Sequence, residues 1–152
     1  VDSIALEWTH KIRLNTLSLQ DAGNHPLSIE NSLALKANNI RIDGAWNKGD
    51  KGRGYLKLAM SHYCELNQLR VSNIRHIAIQ WGASYNLING LYSEVDINFH
   101  GGFSQHNEVK GASFAIPNEH PWPAVYRTPN DAKWAPPDGE GNVVEITSDN
   151  RK

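Results

Sequence analysis

The chain has one cysteine, Cys64, and one methionine, Met60, in 152 residues. A lone cysteine excludes an intrachain disulfide, so stability has to come from packing. It also suits a reducing, cytoplasmic setting. No apolar run reaches the roughly 18 residues that read as a membrane span. Nor is Val1 followed by a signal-like apolar stretch. The absent initiating Met is what an excised domain or a processed chain would show. An excess of charge of either sign is missing too: 15 Lys and Arg face 16 Asp and Glu, for a net charge of −1. A globally basic nucleic-acid binder is thereby excluded, and any such contact needs a local patch. Repeats, low-complexity stretches and linkers are not evident, which leaves one domain over 1–152. The 39% hydrophobic and 20% charged residues place it among globular proteins.

What is present is tryptophan: Trp8, Trp46, Trp81, Trp122 and Trp134. These rings suit a core, or a surface on which sugars or bases stack. The spacing of Leu56, Ala59, Met60, Tyr63 and Leu66 predicts an amphipathic helix from Tyr55 to Leu69. Cys64 adjoins its stripe. Strand-like stretches surround it, at Ile12–Leu14, at Ser32–Asp43 with a hairpin turn at Asn38-Asn39, and at Ile74–Trp81. Further strands are expected at Ala124–Arg127 and Val143–Thr147. The expected fold is α+β (or mixed α/β): one mostly antiparallel sheet with that single helix packed on it.

The most informative stretch runs from Tyr92 to Phe114. Val95, Ile97 and Phe99 alternate with Glu94, Asp96, Asn98 and His100, the period of a strand with one face on a core. Gly101-Gly102 permits a tight reversal. The returning segment carries His106, Glu108 and Lys110 on one face. A hairpin here would gather three carboxylates, a lysine and two histidines, which is costly to bury unless paired, hydrated or metal-bound. Asp96 and Glu108 would hold a divalent cation between them, with Mg2+ or Mn2+ suited to oxygen ligands. Lys110 would orient water and stabilise charge developing on a phosphate.

In Glu94-Val95-Asp96 followed by Glu108-Val109-Lys110, the chain resembles the PD-(D/E)xK nuclease superfamily. The resemblance implies metal-dependent phosphodiester hydrolysis of nucleic acid, with Glu94 or Glu65 assisting. It departs from that pattern in having no proline before Asp96 and a polar segment, Ser104 to Asn107, before Glu108. Lys48, Lys51 and Arg53, in the glycine-rich stretch from Trp46 to Lys57, would contact the phosphate backbone. The stretch is not a P-loop.

Two other readings share these residues. His100, His106 or His120 with Lys110 can cleave RNA by metal-free acid–base chemistry, as in ribonuclease toxins. The same histidines with Glu108 can bind zinc, iron or manganese, and Gly111 to His120 resembles the second cupin motif. A third reading is a non-catalytic β-rich module binding carbohydrate or protein through its tryptophans.

Overall fold

The computed structural model describes residues 1–49, 51–100, 103–128 and 141–151. The Gly101-Gly102 turn, Trp134 and the prolines at 129, 136 and 137 lie outside the described residues. Twelve strands follow one another: β1 (Ile4–Glu7), β2 (Arg13–Ala22), β3 (Leu27–Glu30), β4 (Lys36–Ala45), β5 (Tyr55–Ala59) and β6 (Glu65–Ser72). Then come β7 (His76–Gln80), β8 (Leu87–Ser93), β9 (Ile97–His100), β10 (Glu108–Phe114), β11 (Val125–Thr128) and β12 (Val143–Asp149).

Odd and even strands part company. The first sheet runs β1-β3-β5-β7-β9-β11, and the second runs β12-β10-β8-β6-β4-β2. Every pairing within them is parallel. Each odd–even pair is therefore one coil of a solenoid, stacked on the coil before it. His10, Leu33, His62, Ser84 and Gln105 bridge successive coils along the corner between the sheets.

The expected α+β fold is thus overturned: the chain is all-β, with no helix among the described residues and no antiparallel sheet. The predicted helix at 55–69 is β5, a corner and β6. Leu56 and Leu58 point inward by simple alternation, and Met60 and Tyr63 then turn the corner with φ of 47° and 55°. The corner shifts the alternation, so apolar residues on two strands fall at helix-like spacing.

A second device hides the repeat. In the even strands Thr16, Asn39, Gln68, Gly90 and Gly111 all sit in the left-handed region, stacked coil on coil. Core side chains are two apart on each side of this kink and three apart across it, as with Ala37, Ile40 and Ile42. Asn39, read as a hairpin turn, is this kink within β4. The repeat missing from the sequence reading is real, but coil lengths differ because the segments before β5 and β11 are long.

The interior is a continuous stack of Leu27, Leu56, Ile77 and Ile97 on one side and Ile40, Leu69 and Leu91 on the other. One corner is polar inside. Asn86 gives its amide Nδ2–H to Asn107 Oδ1 at 2.9 Å, and Asn107 gives its own to Asn142 Oδ1 at 2.9 Å. All three are buried, and their side chains satisfy backbone groups that a sharp turn leaves unpaired.

Candidate functional site on the first sheet

Alternation gives each sheet an outer face. On the second sheet that face is wet, with a partly exposed ladder of Asn15, Asn38, Asn67 and Asn89 whose amides bond coil to coil. On the first sheet the outer face is polar and yet largely closed off. Ser28, Lys57, His76, Gln80, Asp96 and Asn98 are all buried. Burying so many polar groups is costly unless they are paired or functional.

Asp96 is its centre and is fully buried. Its position beside His76 follows from the register that pairs Ile77 with Ile97. His76 Nδ1 lies 2.7 Å from Asp96 Oδ1 and 2.9 Å from Oδ2. His120, from the segment between β10 and β11, brings Nε2 to 2.7 Å from the same Oδ1. The Arg75 Nε–H points at His76 Nε2 from 3.4 Å, so a chain of contacts runs from Arg75 to His120 through one carboxylate. The segment carrying His120 is held by Arg151, whose guanidinium donates to the carbonyls of Trp122, His120 and Pro117.

Aromatic rings close over this group. Trp122 packs against His76 at 4.2 Å between ring centroids, and Tyr55 packs on the same imidazole at 5.3 Å. His25 follows at 5.5 Å from Tyr55 and accepts the Tyr55 backbone N–H on Nδ1 at 3.1 Å. Burial lowers the His25 pKa below its ordinary value; Asp2 opposes the shift. Burial raises that of the Tyr55 hydroxyl, helped by the Asp96 charge. Burial would raise Glu30 as well, but the Lys57 ammonium at 2.7 Å and the Ser28 hydroxyl outweigh it and hold the carboxyl low.

Two depressions adjoin the group and share Arg75. The larger, about 760 Å³, is bounded by His120, Trp122, Arg41, Arg70, Glu94 and Glu119, among others. The smaller, about 380 Å³, is lined by Lys51, Gly52, Tyr55, Lys57, Arg75, Gln80, Trp81 and His100.

The residues singled out from sequence scatter. Asp96 belongs to the buried group and His100 to the smaller depression. Glu108 and Lys110 stand on the exposed face of the second sheet, 3.1 Å from each other. Strands β9 and β10 lie in different sheets, so the expected hairpin does not form, and Asp96 and Glu108 are not brought to a common site. Glu94 borders the larger depression. His106 is at the bridged corner, stacked on Tyr85 at 5.1 Å. Glu65 is on the second sheet, paired with Lys36 at 3.2 Å.

Lys48 borders the larger depression and Lys51 the smaller, while Arg53 is exposed beside them. Cys64 is buried, and burial raises its thiol pKa, which suits packing rather than reaction. Among the described residues no group of three or more His, Cys, Asp or Glu is placed to hold a metal ion.

Sequence reasoning missed His76 and Gln80 as site residues, and it held Lys57 only as the end of the basic, glycine-rich stretch and Trp122 only as one of five tryptophans. The signal that joins His76 and Gln80 to Lys57 was there: in Tyr55-Leu-Lys57 and His76-Ile-Ala-Ile-Gln80, polar residues alternate with core positions on what prove to be adjacent strands. Comparison with protein-family models, with curated proteins and with solved structures finds no match.

Proposed function

We propose that the protein binds a saccharide chain in the larger depression, bounded by β4, β6 and the segments that follow β8 and β10, and cleaves it by acid–base chemistry at His120. The observation that carries this reading is the His76–Asp96–His120 group, a fully buried carboxylate holding two imidazoles, of which His120 reaches the wall of the larger depression. With Nε2 engaged by Asp96, His120 keeps Nδ1 to exchange a proton with a ligand in the larger depression. Asp96 and His76 act as positioning residues, fixing the ring and its tautomer and stabilising the imidazolium when it forms. Such a group is worth 10²–10⁴ in rate when well placed.

The choice of sugar over nucleic acid rests on charge and on rings. A phosphate strand needs a continuous basic track. Here Arg41, Lys48, Arg70 and Arg75 share the lining of the larger depression with Asp43, Glu94 and Glu119, a wall of mixed sign. Trp122 borders the larger depression and Trp81 the smaller, and each offers apolar surface beside hydrogen-bonding groups, the pairing that sugar rings need. The metal-dependent nuclease reading would need Asp96 and Glu108 to share an ion, and this geometry lends it no support.

The test is incubation of the full chain with a panel of polysaccharides, following new reducing ends and unsaturated products, with RNA and DNA in parallel and with EDTA in matched samples. Saccharide cleavage that persists in EDTA is expected. For Asp96→Asn the rate should fall about 100-fold or more, in kcat rather than KM. Cleavage of nucleic acid alone would overturn the proposal.

A further inference from the structure

We infer that Arg151 is a positioning residue for the proposed reaction: its guanidinium fixes the segment that carries His120 and Trp122 against the buried Asp96. The inference rests on the saccharide reading and adds a residue outside the lining of the larger depression. Proline makes the segment dependent on outside donors. Residues 117–123 read Pro-Asn-Glu-His-Pro-Trp-Pro, so three of the seven have no N–H to give. Such a stretch cannot ladder onto a sheet, yet its carbonyls still call for donors.

Arg151, just past β12, supplies them. Its Nη1 donates to the Trp122 carbonyl at 2.8 Å, and its Nη2 donates to the carbonyls of His120, at 2.6 Å, and of Pro117. Among the described residues these are the only hydrogen bonds between the backbone of 117–123 and the rest of the molecule. The His120 N–H turns back to the Pro117 carbonyl at 3.0 Å, which tightens the segment without anchoring it. Neighbouring groups aim the guanidinium. Asp149 Oδ1 accepts the Arg151 backbone N–H at 2.9 Å. The Asn150 side chain brackets Ile116, accepting its N–H at 2.9 Å and donating to its carbonyl at 3.0 Å.

On its other side the segment meets the buried group through two side chains. His120 Nε2 is 2.7 Å from Asp96 Oδ1, and Trp122 lies 4.2 Å from His76 between ring centroids. The backbone of the segment therefore decides where both rings sit, and Arg151 decides where that backbone sits. A planar fork of N–H donors can gather three carbonyls at once, and its charge makes each bond stronger than a neutral one. An ammonium is a point charge with no such fork. With the fork removed the three carbonyls turn to water, and His120 loses the fixed approach that a proton transfer needs.

NMR spectra and saccharide kinetics of the full chain, native and with Arg151→Ala or Arg151→Lys, test this. In Arg151→Ala the cross-peaks between the Trp122 and His76 rings should weaken, and kcat should fall roughly 10- to 100-fold with a smaller change in KM. Free guanidinium ion, at a concentration that leaves the native rate unchanged, should restore part of the rate of Arg151→Ala. Arg151→Lys keeps the charge without the fork and should likewise recover only part of it. Ring contacts and kcat both unchanged in Arg151→Ala would overturn the inference. So would either change without the other, and so would full activity in Arg151→Lys. Without saccharide turnover by the native chain the reaction falls, and the ring contacts alone then decide whether Arg151 holds the segment.

Discussion

Asp96 shows how little of a residue's role its own sequence neighbourhood reveals. Read along the chain it was one of several acids on an alternating strand. In the fold it is the fully buried partner of two histidines, 20 and 24 residues away. Removing such a group leaves two imidazoles arranged around nothing, so Asp96→Ala should cost about 3 kcal/mol or more in chemical denaturation. Asp96→Asn, which keeps a carbonyl for one imidazole, should cost less. If Asp96→Ala proves neutral, the buried group is not the structural centre described above.

His25 makes a pH prediction. Its folded pKa is depressed by burial, so below an ordinary value of about 6.5 the unfolded chain takes up a proton that the folded one resists. Stability should therefore fall as pH drops through that value toward the folded pKa. Protonation at Nδ1 also removes the acceptor for the Tyr55 N–H. His25→Gln keeps an acceptor without a titrating ring and should flatten the profile between about pH 7 and 5.5. A slope unchanged by the substitution would assign the effect to another group.

At the scale of the strand, the buried asparagines are the part most exposed to mutation. Asn107 bonds Ala83 and Asn142 through its amide and accepts from both the backbone and the side chain of Asn86. Asn107→Leu would leave several buried partners unmatched, each worth about 1–3 kcal/mol. A loss of about 3 kcal/mol or more is expected, against less than about 1 kcal/mol for Asn38→Ala on the partly exposed ladder of the second sheet. Equal costs at the two positions would show that the interior ladder does not hold the corner.

The strands themselves were partly legible. Val143–Thr147, Ala124–Arg127 and Ile74–Trp81 all fall on real strands because their alternation is unbroken. Residues 55–69 failed because two left-handed corner residues, Met60 and Tyr63, shift the phase of the pattern without any glycine or proline to mark it. The stacked kink at Asn39 and Gln68 does the same within single strands. Positive φ in ordinary residues leaves no local signature; it becomes visible only when successive coils are laid over one another.

At the scale of the molecule, parallel stacking replaces the single, mostly antiparallel sheet with one packed helix that the sequence suggested. Among the described residues each coil pairs only with its neighbours, so stability is distributed along the axis, and the coil of β1 and β2 meets another on one side. Its inward residues, Ile4, Leu6, Leu14 and Leu17, are only partly buried. Amide hydrogens of β1 and β2 should accordingly exchange faster than those of β5 to β8, and uniform protection would contradict this distribution. The same stacking explains the site. Tyr55, His76 and Asp96 come from three consecutive coils and meet at one height, a juxtaposition that no short motif could encode.

In the proposed reaction His120 is the group that moves the proton. The measurement that tests it most directly is the kcat of purified protein on its best saccharide, for the native chain and for His120→Gln, with binding measured alongside. A loss of about 100-fold or more in kcat with saccharide affinity kept is the predicted result. Full activity in His120→Gln would contradict the account, as would the lack of any saccharide turnover by the native chain.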